Sequence, residues 1–162
     1  MFSKGTKWLP AALVALALMS SASVSQAGAV PAPAAMDKCA VCGMFVAKYP
    51  AWTASAGFND LSSVFFDGPK DLFAYLLDTR KYNPSKSSKT VTAVRVKDYY
   101  TLKVIDGQTA FYVLGSDVYG PMGGELVPFE KEDDARVFLG DHKGRRVLRF
   151  KDITPDVIKS LE

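Results

Sequence analysis

Ser63-Val-Phe-Phe-Asp-Gly-Pro-Lys-Asp-Leu-Phe-Ala-Tyr-Leu-Leu-Asp78 reads as a strand running into a helix. Residues 63–66 form a short apolar run. After them the period changes. Leu72, Phe73, Leu76 and Leu77 recur at helical spacing, Asp67 suits an N-cap, and Pro69 suits the first helical turn. Shifting the chain by 63 residues lays Phe66-Asp67 on Phe129-Glu130. The same shift lays Leu72, Ala74, Tyr75 and Leu76 on Ala135, Val137, Phe138 and Leu139. One strand-to-helix passage thus occurs twice.

The flanks repeat as well. Before the first passage, 44–49 and 52–58 read as two short strands around Pro50, and 90–96 follows it as another. In the second half, 98–105 and 109–114 read as a hairpin about the Asp106-Gly107 turn. There follow a glycine-rich loop over 115–124, a short run over 125–129, a helix over 130–139 and an alternating strand over 145–150. Thr154-Pro155 opens a last short helix. The expected fold is α+β, two tandem related ββαβ lobes over 39–97 and 98–162, packed together.

The 162 residues, 48% hydrophobic and 23% charged, are ample for such a core. Residues 1–27 carry the three parts of a secretory signal. Lys4 and Lys7 make the charged start, 9–19 an apolar run too short to span a bilayer, and 20–29 a small-residue region with cleavage sites at Ala27 and Ala29. Left uncleaved, this segment would hold the chain at the membrane. Residues 28–38, rich in Pro and Ala, read as a flexible tether. The sequence therefore reads as an exported, periplasmic protein. Without Lys4 and Lys7 its basic and acidic residues nearly balance, which gives no footing for nucleic-acid binding.

Both cysteines lie in Cys39-Ala-Val-Cys-Gly-Met44, at the entrance of the fold, with Gly43 allowing a turn. In an oxidising compartment a pair defaults to a disulfide, yet one across two residues closes too small a loop to stabilise much. Covalent haem attachment needs a histidine where Gly43 stands. Zinc needs four ligands, and neither a second Cys pair nor paired histidines exist. A redox pair belongs at a helix start after a strand, not behind a tether. Copper(I) accepts few ligands and prefers thiolate and thioether. Met122, in Tyr119-Gly-Pro-Met-Gly-Gly124, has little to pack on locally and could share such a site, although a loop methionine is more often just exposed. Met44 can equally begin a strand. His142, the single histidine, lies in a polar turn and is a reserve candidate. Asp133 and Asp134 fit the favourable negative end of a helix. No nucleophile–base set, phosphate loop or dinucleotide motif is present, so no enzyme is expected. A thiol–disulfide protein and a plain interaction module with a Cys39–Cys42 bridge stay open as rivals.

Cys39-Ala-Val-Cys-Gly-Met44 and Gly120-Pro-Met-Gly-Gly-Glu-Leu-Val-Pro-Phe129, followed by an acidic helix with Ala135 and Phe138, resemble the NosL family, copper-binding accessory proteins of nitrous oxide reductase. The resemblance covers nearly all of the chain after the signal. It implies an exported protein of two ββαβ lobes that binds copper(I) and delivers it for the reductase's copper-sulfide centre. It puts the motif cysteine on Cys42 and the loop methionine on Met122, the first-choice ligands. Cys39 and Met44 belong to the motif, and His142 could complete the shell. One departure stands out. Many members carry a lipid on a cysteine at the end of the signal; here the apolar run ends without one. That argues against a lipid anchor and leaves another copper-requiring exported protein as an alternative recipient.

Overall fold

The computed structural model describes Met1, Phe2 and residues 31–162, so the rest of the signal segment and residues 28–30 of the tether lie outside the described residues. The described chain forms two antiparallel sheets. Strands β1 (Ala54–Phe58), β2 (Ser63–Phe66), β3 (Val91–Lys97) and β4 (Val104–Asp106) make one, in the order β2-β1-β3-β4. Strands β5 (Phe111–Gly120), β6 (Gly123–Phe129) and β7 (Arg146–Arg149) make the other, in the order β6-β5-β7. Helix α1 (Pro69–Leu77) follows β2, with a short α2 (Thr79–Tyr82) behind it. Helix α3 (Glu132–Asp141) follows β6, and α4 (Pro155–Lys159) ends the chain. The α+β expectation holds, and the repeat is visible in the pairing. In each sheet the first strand is central, flanked by the second and by the strand after the helix.

Alternation explains how the second sheet serves two cores. Tyr112, Leu114, Leu126 and Leu148 face the main core, which also takes Ala54, Ala56, Phe66, Leu72, Phe73 and Val94. Val113, Val127 and Phe129 point the other way, onto Ala135 and Phe138 of α3. Helix α1 lies between the lobes, packed on β1 and β2 and also on β6 and α4. That position alters its buried face. Leu72, Phe73 and Tyr75 are buried, and so are Lys70 and Asp71 at its start, whereas Leu77 is exposed. A helix wedged between two sheets buries its leading end on several sides.

Three local expectations are corrected. Residues 44–49 are not a strand: Phe45 makes a single bridge to Lys38, and Val46–Lys48 is a 3-10 turn. Residues 98–114 are not a hairpin. β4 turns back onto β3, with Val96 opposite Ile105, and the first sheet thereby extends past residue 97. The Asp98 carboxylate drives this by accepting from Thr101 N–H and Oγ1, both at 2.8 Å, and Leu102 closes the turn at φ 58°. The Asp106-Gly107 turn then carries the chain across to the other sheet, where the Tyr112 hydroxyl donates to Gly107 O at 2.6 Å. Third, the glycine-rich stretch is no open loop. Tyr119 pairs with Gly124 and Gly120 with Gly123, leaving Pro121-Met122 as a two-residue tip. The thermodynamic reason is backbone pairing: an extended hairpin satisfies N–H and C=O groups that a loop would leave to water.

Candidate metal centre

The cysteine motif is a closed turn. Cys39 N–H donates to Met44 O at 2.8 Å, and Gly43 N–H donates back to Cys39 O at 2.9 Å. Gly43 sits at φ 78°, a conformation that costs any residue with a Cβ. Ala40 N–H donates to Phe65 O at 3.3 Å, which ties the turn to β2 and hence to the start of α1. The two sulfurs are brought together and remain free thiols.

What they face is two carboxylates. Cys39 Sγ donates to Asp71 Oδ2 at 3.1 Å, and Cys42 Sγ donates to both Asp67 oxygens at 3.4 Å. One ligand atom from each of Cys39, Cys42, Asp67 and Asp71 lies within 4.8 Å of every other. Cys39, Asp67 and Asp71 are buried and Cys42 is half-buried. Burial pushes the Cys39 thiol well up and the Cys42 thiol up to about 11. It also raises the Asp71 carboxyl, with the neighbouring Asp67 adding to the effect. The cluster is thus a set of acidic side chains largely withdrawn from water, in which each thiol donates to a carboxylate. Replacing thiol protons by a metal cation suits it on charge, and two adjacent sulfurs suit a soft ion.

Neither aspartate stood out as a metal residue in the sequence. Asp67 reads as a helix cap, but in the structure Gly68 holds that position and no side chain of its own caps it. The capping is done from the other lobe. Glu125 Oε1 accepts from Lys70 N–H at 2.5 Å as well as from Leu126 N–H at 2.8 Å. This frees the Asp67 carboxylate for Cys42. The readable signal was the pair itself, one aspartate just before the expected helix and one in its first turn.

Met122 stands at the β5–β6 tip, 45% exposed. Its carbonyl accepts from Lys70 Nζ at 2.7 Å, so the tip is pinned to the same first turn of α1 that carries Asp71. Met44 is half-buried at the close of the cysteine turn. His142 lies elsewhere. It follows α3, stacks on Phe138 at 4.2 Å and approaches Asp117 Oδ1 at 3.2 Å through Nδ1. Among the described residues it is not in the cysteine–aspartate cluster.

Comparison with known proteins identifies the family. A family model described as NosL matches residues 31–158. The copper-binding lipoprotein NosL of Stutzerimonas stutzeri is 31% identical over 123 residues, 72% of this chain. The chain spans 62% of that relative's length. The crystal structure of the copper chaperone NosL from Shewanella denitrificans superposes with a TM-score of 0.66 at 27% identity, over 80% of this chain and 98% of that one. The solution structure of apo-NosL from Achromobacter cycloclastes is also 27% identical, over 65% of this chain and 87% of its own, with a TM-score of 0.47. With a match running from the tether into α4, and a paired-lobe fold shared with a solved member, this chain belongs to the NosL family.

Proposed function

We propose that this chain is a periplasmic copper(I) metallochaperone, which carries copper for assembly of the copper-sulfide centre of nitrous oxide reductase. The observation that carries the reading is the free thiol pair of Cys39 and Cys42 in a buried cluster, with the Met122 tip fastened to the helix beside it. Cys42 and Met122 are the primary ligands in this reading, Cys39 the second thiolate, and Met44 a neighbour at the mouth of the turn. His142, paired with Asp117, stays outside the set. Two or three soft donors leave a copper(I) ion short of its full coordination. An incoming ligand from the recipient can bind before the old ones leave, so transfer is ligand exchange and no covalent chemistry is required. The names of the relatives, a copper-binding lipoprotein and a copper chaperone, support the same cargo.

A thiol–disulfide role fits the site less well. Reactive redox cysteines carry thiols whose pKa is lowered towards neutrality. Burial moves both thiols here the other way. The test of the recipient is co-production of nitrous oxide reductase with this chain or with its Cys42→Ser variant, followed by copper analysis and absorption spectroscopy of the purified reductase. We expect the copper-sulfide centre with the unaltered chain and its loss with Cys42→Ser. A reductase equally loaded in both cases would contradict the assignment and direct attention to another copper-requiring exported protein.

A further inference from the structure

Lys70 and Glu125 are buried, belong to different lobes and donate nothing to the cysteine cluster themselves. Buried lysine normally sits against a carboxylate. Here the Lys70 ammonium donates instead to the main-chain carbonyl of Met122, at 2.7 Å. The backbone N–H of the same residue donates to Glu125 Oε1 at 2.5 Å. Glu125 is three residues beyond Met122 on β6, so one residue of α1 grips the hairpin at both its tip and its stem. The surroundings make room for the grip. A Cβ on Gly68 would collide with Glu125 Oε2, and one on Gly120 would come within 2.8 Å of the same oxygen. The order along the chain is Asp67, Gly68, Lys70, Asp71. Residues that face the cysteines and residues that hold the hairpin thus lie side by side at the start of α1.

We propose that Lys70 and Glu125 form a latch between the lobes that positions Met122 against the cysteine-bearing turn, so that the copper site is complete only while the hairpin is held. This rests on the reading of Met122 as a copper(I) ligand given above. Lys70 and Glu125 are positioning residues: they fix where a ligand stands and do not bind the ion. In this arrangement the first turn of α1 sets the distance between the two halves of the site, and the second lobe supplies the cap that α1 lacks.

The test is a double-mutant comparison in the purified, reduced protein, titrated with copper(I) against a competing chelator. Lys70→Gln, too short to reach the Met122 carbonyl, is expected to lower affinity about 10- to 100-fold, as loss of a residue orienting a ligand commonly does. Met122→Ala should cause a similar loss, and the double variant should lose no more than either alone. X-ray absorption of the copper should show one fewer sulfur neighbour in Lys70→Gln than in the unaltered protein. Lys70→Arg, which keeps a long charged donor, should restore both affinity and sulfur count. If Lys70→Gln does not fold, Lys70→Leu takes its place, judged by the same non-additivity and sulfur count. Additive losses, an unchanged sulfur shell or undiminished affinity in the Lys70 variant would overturn the latch. If Met122→Ala alone leaves affinity intact, the latch fails while the chaperone reading stands on Cys42→Ser.

Discussion

At the scale of single residues, the site is decided by where protons sit. Both thiols are protonated at neutral pH, because burial raises them, Cys42 to about 11 and Cys39 further. A bound copper(I) ion needs thiolates, so loading must release protons. The sign follows directly: lower proton concentration favours the metal-bound form, and the effect persists until the pH passes the raised thiol values. Apparent copper(I) affinity should therefore climb by about tenfold per pH unit for each thiol proton displaced, from pH 6 to 9. Competition titrations at several pH values would measure it. A flat profile would mean that neither thiol gives up a proton to the metal. The cysteines and Met122 were visible in the sequence because soft donors are scarce there. Asp67 and Asp71 were hidden, for two reasons. An Asp ahead of Gly-Pro is an ordinary helix opening, and the residue that takes over its capping role, Glu125, lies in the other lobe.

At the scale of elements, the two ββαβ units differ where function concentrates. Ala54 pairs with Phe66 across twelve residues in the first hairpin, and Phe111 with Phe129 across eighteen in the second. The six extra residues, taken up past a register shift between Leu114 and Tyr119, extend the second hairpin and carry the Met122 tip. The 63-residue echo between the helices was legible because strand and helix periods survive drift in sequence. The hairpin extension was not, since Gly-Pro-Met-Gly-Gly is equally good loop chemistry and only pairing across the strands reveals it. The β3–β4 connection was misread for a similar reason: Asp106-Gly107 is a strong turn signal, but the Asp98 turn just upstream had already committed β4 to β3. Glycines supply a test at this level. Gly43→Ala meets no atom within 4 Å yet must hold φ 78°, so it should cost about 1–2 kcal/mol of stability. Gly140→Ala, in open space inside α3, should instead stabilise by about 0.5–1 kcal/mol. Thermal unfolding of the two variants distinguishes strain in the cysteine turn from a general intolerance of alanine.

Over the whole molecule, the two lobes meet at the helix whose leading end faces the cysteines. The cysteine turn rests on β2 of the first sheet, the aspartates open the helix between the lobes, and the methionine tip reaches over from the second sheet. Two lobes packed over a shared helix bring the Met122 main chain against the helix turn that carries Asp71, itself the acceptor from Cys39. Cys42 is half-buried and the Met122 tip is exposed, so in the proposed reading a recipient would approach from this side. In the proposed reading this junction holds a single copper(I) ion through Cys42. The decisive measurement is a titration of the reduced, purified protein with copper(I) against a chelator, beside its Cys42→Ser variant. One tightly bound copper(I) per chain, lost in Cys42→Ser, is the expected result; equal affinity in the two proteins would contradict it.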